Sequence, residues 1–273
     1  MEALPRHLSL ELTARCNFAC PFCYGVWHER PELAARELDT AEWCAILDEC
    51  ARRGVRDVQF TGGEPLLRDD LFLLLDHARA AGLQTGVYTN GSLLSEERIL
   101  AFKRRGTRIS TSLPGLASYG LMTGTDREAW GVLEAVERAA ELGWPVAVGI
   151  TLAKPNLAEA ADLVAAVVLA RASTVQIGAA MWEGRMKEHA DWMLSEAEWD
   201  AAKAAVLAVP AGRVPVHFAE EFFCTCREQP GEPAARWPSP KGNCPAGKSF
   251  GAIGPDGRLR RCLHTLDARG WRG

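Results

Sequence analysis

Cys16, Cys20 and Cys23 stand in a CxxxCxxC spacing, with an aromatic residue, Phe22, immediately before the last of them. Iron–sulfur clusters are ordinarily held by four thiolates. Three thiolates on one short loop would hold three irons of a cubane and leave the fourth iron open to a different ligand. The same stretch also admits a zinc knuckle in which His28 completes the four-coordinate set that zinc prefers. Zinc sites more often pair their ligands as two CxxC-like knuckles, which favours the cluster.

A second stretch, Thr61-Gly62-Gly63-Glu64-Pro65, follows an apolar run that reads as a strand, as the cysteine stretch does. The two motifs, in this order, resemble the radical S-adenosylmethionine (radical SAM) enzymes, which carry CxxxCxxC after their first strand and GGEP after their second. The resemblance implies a [4Fe-4S] cluster ligated by Cys16, Cys20 and Cys23. The amino and carboxylate groups of S-adenosyl-L-methionine would chelate its open iron, and one-electron reduction would yield a 5′-deoxyadenosyl radical. Phe22 then takes the aromatic position lying against the adenine, and Gly62, Gly63, Glu64 and Pro65 line the methionine end. Glycines let backbone approach closely, and carbonyls at a strand end can accept from the ammonium group.

Ser110 and Ser112 are two apart on a strand and so share a face. By resemblance Ser112, with Ser110 second, matches a serine that hydrogen-bonds the ribose or carboxylate of the cofactor. Gly149, within Val148-Gly149-Ile150, would back the adenine. Arg185, in Glu183-Gly184-Arg185, resembles a Gly-Arg pair frequent in relatives; the alternative is an ordinary surface arginine. Many relatives place a carboxylate-binding arginine about a dozen residues after the serine. That point is Gly124 here, with Arg127 nearby, a departure from the family pattern.

The C-terminal part carries Cys224, Cys226, Cys244 and Cys262. Cys244, Gly257 and Cys262 are spaced as at the opening of the SPASM and twitch extensions, which bind auxiliary iron–sulfur clusters. With Cys224 and Cys226 they would complete one auxiliary [4Fe-4S] cluster. No CxxCxxxxxC stretch follows, so one cluster is expected. The alternative leaves Cys224 or Cys226 as a thiol that donates a hydrogen atom. Residues 242–249 fit the pattern GxxxxGK[ST], but a phosphate-binding loop must follow a buried strand and open a helix. Proline-rich sequence precedes this one and glycines follow it, so nucleotide hydrolysis is not expected.

The elements that must position these residues alternate. Strands are expected at 7–13, 55–60, 83–89, 107–112, 145–151 and 173–180. Helices are expected from a capping box at Asp39–Glu42 to residue 53, then at 69–81, 95–105, 126–142, 158–170 and 195–209, with 113–125 irregular. Strand–helix repetition at this interval means right-handed crossovers and a parallel sheet. Six such units match a partial (β/α)6 TIM-like barrel, an α/β fold in which sites lie at the C-terminal ends of the strands. Both motifs fall there. The expected division is a radical SAM core over 1–210 and a small cysteine-rich, twitch-like extension over 211–273, with a hairpin at 253–263 turning on Pro255-Asp256-Gly257. Cys44 and Cys50 read as buried small apolar residues.

The chain has 273 residues, 48% apolar and 24% charged, with net charge −4. That balance suits an ordinary globular core and argues against nucleic acid as a partner. Arg258, Arg260 and Arg261 read as a solvated rim. Neither a secretory signal nor a stretch long enough to span a bilayer is evident, so a cytoplasmic enzyme without membrane contact is expected. Nine cysteines in such a compartment point to metal binding rather than disulfides.

Relatives with SPASM or twitch regions mostly modify ribosomally made peptides, and the resemblance implies a net oxidation such as crosslinking. The alternative is a twitch-type dehydrogenase or epimerase of an aminocyclitol or sugar precursor. Either needs an external flavodoxin- or ferredoxin-like reductant. Because the cysteine loop begins only fifteen residues in, a leader-binding protein would act in trans.

Overall fold

Leu8, Leu10 and Leu12 alternate with Ser9 and Glu11, and this period of two gives the first strand one apolar and one polar face. The computed structural model describes residues 4–219 and 246–264. In it β1 (His7–Glu11), β2 (Asp57–Thr61), β3 (Gln84–Thr89), β4 (Arg108–Ser112), β5 (Val146–Leu152) and β6 (Thr174–Ala179) pair in parallel, each beside its predecessor. Helices α1 (Thr40–Arg52), α2 (Leu71–Ala80), α3 (Glu96–Arg105), α5 (Trp130–Glu141) and α6 (Ala160–Leu169) make the crossovers. A short α4 (Tyr119–Thr123) interrupts the segment expected to be irregular. Strands added in sequence, joined by crossovers of one hand, keep their helices on one side and curl the sheet into a partial barrel.

Local chemistry explains where the helices begin and end. Asp39 accepts the Glu42 N–H while Glu42 returns a bond to the Asp39 N–H, and Ser195 and Glu198 do the same for α7 (Glu196–Leu207). Gly106 ends α3 at φ +64°, the left-handed conformation for which glycine is suited. The helix expected from residue 126 starts at Trp130.

The sheet extends past the six expected strands on both sides. β7 (Val216–Phe218) pairs in parallel with β6. β8 (Phe250–Ile253) pairs in parallel with β1 and antiparallel with β9 (Leu259–Arg260), through a turn closed by the Gly257 N–H donating to the Gly254 carbonyl. The order is therefore β7-β6-β5-β4-β3-β2-β1-β8-β9. Residues 246–249 run into strand β8, not into a helix, so the described part of the GxxxxGK[ST] pattern lacks a phosphate-binding context.

The two faces of the sheet differ. In one row Leu10, Phe60, Val87, Ile109 and Val146 lie side by side, all buried under the helices. Each such side chain contributes roughly 1.5–3 kcal/mol on burial. On the opposite face Tyr88 stands beside Ser110 and Ala147, and Ser112 beside Gly149 and Gln176. This face is a trough of small and hydrogen-bonding residues.

One expectation is overturned here. Arg260 is not a rim residue: it is 4% exposed, lies on β9 and forms a buried ion pair with Glu11 of β1. Register places both on the polar face, where burial pulls the Arg260 guanidinium down to about 10. Arg258 is exposed and pairs with Asp256.

Candidate functional site

The cysteine loop leaves β1 across the C-terminal ends of its neighbours and is fastened at each of them. Glu37 accepts from the Thr13 hydroxyl at 2.7 Å and the Ala14 N–H at 2.8 Å. The Gly63 N–H donates to the Thr13 carbonyl at 2.7 Å and the Glu64 N–H to the Arg15 carbonyl at 2.8 Å. A Cβ on Gly62, whose φ is +133°, would stand 2.4 Å from the Thr13 carbonyl oxygen, and one on Gly63 would stand 2.2 Å from that of Arg15. The paired glycines are thus needed for the turn after β2 to lie against the cysteine loop.

The Glu64 carboxylate is buried and accepts from the Leu66 N–H, the Thr89 hydroxyl and the Asn90 N–H. Burial raises its pKa against those three bonds. Pro65 opens a buried 3-10 turn, Pro65–Leu67. Just beyond, Arg68 donates to the Leu12 and Leu38 carbonyls and forks onto Asp70.

Further along the loop, the Asn90 amide donates to Asn17 at 2.8 Å and points at the Cys16 sulfur at 3.9 Å. The Ala19 N–H donates to the Thr123 carbonyl, and a Cβ at Gly124 would stand 2.6 Å from the Ala19 carbonyl oxygen. Position 124 is therefore a contact point for the loop where a side chain has no room, and Arg127 is exposed. The guanidinium within electrostatic reach of the thiols belongs instead to Arg185. Its field reaches Cys16, Cys20 and Cys23, and its backbone N–H donates to the Cys23 carbonyl at 3.0 Å.

Cys16, Cys20 and Cys23 lie within electrostatic reach of one another. Burial raises all three thiols, Cys20 to about 12. Among the described residues no group of three Cys, His, Asp or Glu side chains converges as a single metal ion requires. The His28 ring, depressed to about 4 by burial and by Arg185, packs against Trp27.

Phe22 is half-buried and packs against a small buried cluster that includes Met122, Met186 and Met193, as Trp182 and Trp192 also do. Ser110 and Ser112 share the trough face, and the Ser112 side chain hydrogen-bonds the Tyr88 hydroxyl. Gly149 is needed there, since its Cβ would stand 2.2 Å from that hydroxyl. Tyr24, directly after the motif, hydrogen-bonds the Thr61 side chain, and its ring meets that of His264 at 4.8 Å between centroids. Cys262 lies near enough to Tyr24 for its charge to be felt there. Cys224, Cys226 and Cys244 lie outside the described residues.

Sequence reasoning missed Asn17, Asn90, Tyr24, Tyr88 and Glu37. Asn90 carried a signal in its place at the C-terminal end of a strand, where this fold builds its site. Glu37 carried none, because its partners are 23 and 24 residues away and irregular in backbone.

A parallel partial barrel with a three-thiol loop fastened over its strand ends defines a class. The sequence pattern of the radical SAM superfamily matches residues 10–166, more than half of the chain, and the chain belongs to that superfamily. Membership implies a [4Fe-4S] cluster and S-adenosylmethionine as cofactors, and the thiols and trough described above suit both. The chain is 28% identical over 95% of its length to the PqqA peptide cyclase of Rhodopseudomonas palustris, covering 67% of that protein. It is 30% identical over 72% of its length to the PqqA peptide cyclase of Bradyrhizobium diazoefficiens, covering 52% of that protein. The chain thus spans between about half and two thirds of these relatives. In fold it resembles Streptococcus suis SuiB bound to precursor peptide SuiA, with TM-score 0.74 and 16% identity, covering 97% of this chain and 62% of SuiB. It also resembles anSMEcpe with bound AdoMet, with TM-score 0.71 and 14% identity over 96% of this chain and 75% of that one. Among the described residues no helix is long and apolar enough to cross a membrane.

Proposed function

We propose that this chain carries the core of a radical SAM enzyme that oxidatively modifies a ribosomally made peptide, forming a crosslink or a related bond. The observation that carries the reading is the thiol trio on a loop clamped by Gly62, Gly63, Asn90 and Thr123, with the Arg185 guanidinium within electrostatic reach of it. When bound, the cluster supplies the electron that splits the sulfonium of S-adenosylmethionine and so generates the hydrogen-abstracting radical.

The chain's own residues bind and orient. Cys16, Cys20 and Cys23 ligate, and Arg185 attracts the methionine carboxylate, the role left vacant at Gly124. Gly62, Gly63, Glu64 and Pro65 line the methionine end, where backbone carbonyls at the end of β2 would accept from the ammonium group. Phe22 packs on the adenine and Gly149 backs it, while Ser112, with Ser110 as second choice, bonds the ribose or carboxylate. The similarity to PqqA peptide cyclases supports a peptide as substrate.

We assign Cys224, Cys226, Cys244 and Cys262 to an auxiliary cluster in a twitch-like region over 211–273, beyond a core at 1–210. Cys262, whose charge is felt at Tyr24 directly after the thiol motif, supports this; a cluster held by these four residues would supply an acceptor for the electron left after hydrogen abstraction. An external one-electron reductant and a leader-binding protein acting in trans complete the system.

The test is anaerobic reconstitution followed by mass detection of 5′-deoxyadenosine with candidate precursor peptides and, as the competing arm, aminocyclitols. Peptide-dependent turnover, lost in Cys16→Ala, Cys20→Ala and Cys23→Ala, is the expected result. Deoxyadenosine formation by those variants at the parent rate overturns the reading of the site. Turnover with aminocyclitol alone overturns the substrate class.

A further inference from the structure

Glu29 follows the cysteine loop, outside both motifs, on the 3-10 turn Val26–His28 and its cap. One of its carboxylate oxygens accepts the Gly184 backbone N–H at 2.8 Å, and the other takes the Lys187 ammonium at 2.6 Å. These two bonds bracket Arg185 within the turn Gly184–Glu188. The Arg185 N–H is itself bound to the Cys23 carbonyl at 3.0 Å. Gly184, at φ +53°, lies so close that a Cβ would stand 2.3 Å from that same carbonyl oxygen. The backbone that bears Arg185 is therefore pinned on three sides to the segment that bears the thiols.

The pair is half-buried, with 20% of the Glu29 side chain and 26% of the Lys187 side chain exposed. It is therefore screened less than a surface pair would be. Arg185 itself makes no ion pair among the described residues, so its guanidinium is available to an anion.

We propose that Glu29 is a positioning residue, which holds Arg185 at the thiol loop and so sets the affinity for the carboxylate of S-adenosylmethionine. The inference rests on the reading of Arg185 given above. Gly184, next to Arg185, lies 155 residues from Glu29, and its turn has little regular structure of its own. Unclamped, the guanidinium would sample many positions, and the binding energy would be spent on ordering it.

The experiment is equilibrium binding of S-adenosylmethionine to the reconstituted, unreduced protein, with iron content and unfolding midpoint measured on each sample. Glu29→Ala is expected to keep the parent's iron content and weaken binding roughly tenfold, the value of one charged hydrogen bond. Glu29→Gln, which retains an acceptor for the Gly184 N–H, falls between the two. The decisive comparison is the double variant with Arg185→Ala. If Glu29 acts through Arg185, adding Glu29→Ala to Arg185→Ala costs nothing further.

Additive losses, or unchanged affinity in Glu29→Ala while Arg185→Ala is weakened, overturn the positioning role and leave Arg185 in place. Parent affinity in Arg185→Ala overturns the assignment of Arg185 and this inference with it. Loss of iron in Glu29→Ala and Glu29→Gln alike shows a purely structural role and also overturns it.

Discussion

The Glu64 carboxylate accepts the Asn90 backbone N–H at 2.7 Å and so ties the turn after β2 to the turn after β3. The Asn90 side chain points at the Cys16 sulfur, and the Glu64 N–H holds the Arg15 carbonyl. One buried acid thus stands behind the first cysteine from two directions. Glu64→Ala strands three donors in the interior, and the expected loss is at least ~2 kcal/mol. Urea unfolding measures the stability, and iron uptake on reconstitution should fall with it. Glu64→Gln, keeping one acceptor oxygen, should lose less on both counts.

The Tyr88 hydroxyl fills the space that a Cβ at position 149 would need, standing 2.2 Å from where it would lie. Gly149→Ala is expected to cost about 1–3 kcal/mol through overpacking. Tyr88→Phe alone gives up the bond to Ser112 but removes the atom in the way, leaving the ring carbon at 3.4 Å from the new methyl. The double variant should therefore unfold at a higher urea concentration than Gly149→Ala by itself. If it does not, the close approach of Tyr88 and Gly149 is not what excludes a side chain at 149.

Glu11 and Arg260 test whether the terminal hairpin is integral to the sheet. Arg260→Met leaves a buried carboxylate without its partner, an expected loss of roughly 3–5 kcal/mol. Removing both charges together, as Glu11→Leu with Arg260→Met, should recover most of that. Thermal unfolding would show the difference. Equal losses in the single and double variants would mean that the hairpin is held by its backbone pairing to β1 alone.

Asp70 supplies a dependence on pH. Burial raises its carboxyl, but bonds from Arg68 and Thr40 outweigh this and leave it below its ordinary value. A carboxylate depressed in the fold contributes stability that is complete above its unfolded pKa, about 3.9, and is lost as pH falls through the folded value. Asp70→Asn should accordingly flatten the decline in unfolding midpoint between about pH 5 and pH 2, while lowering the midpoint at pH 7. A decline in the variant as steep as the parent's would assign the acid sensitivity elsewhere.

What the sequence discloses is what four or five neighbouring residues decide. The capping boxes at Asp39–Glu42 and Ser195–Glu198 close within one turn, and the glycine after α3 needs only its own backbone angle, so all three can be read directly. Alternation on β4 put Ser110 and Ser112 on one face. Parallel pairing of β8 with β1 spans some 240 residues and leaves no local trace, so Arg260 looked like one of three surface arginines. Gly62 and Gly63 announced a close approach but not what approaches, and the Thr13 and Arg15 carbonyls emerge only from the fold. Glu29 is the extreme case: an ordinary acid in sequence, whose partners lie across the barrel mouth.

The division of the sheet into an oily side and a wettable side has an evolutionary consequence. Rows such as Leu10, Phe60 and Val87 bear the folding free energy, whereas the half-buried Ser110 and the exposed Gln176 bear little of it. Exchanges at Ser110 and Gln176 in the trough, outside the Tyr88–Gly149 contact and the Glu11–Arg260 pair, should be nearly silent in stability while altering what docks there. A scaffold built in this way can drift toward new molecules to act upon without first being made sturdier.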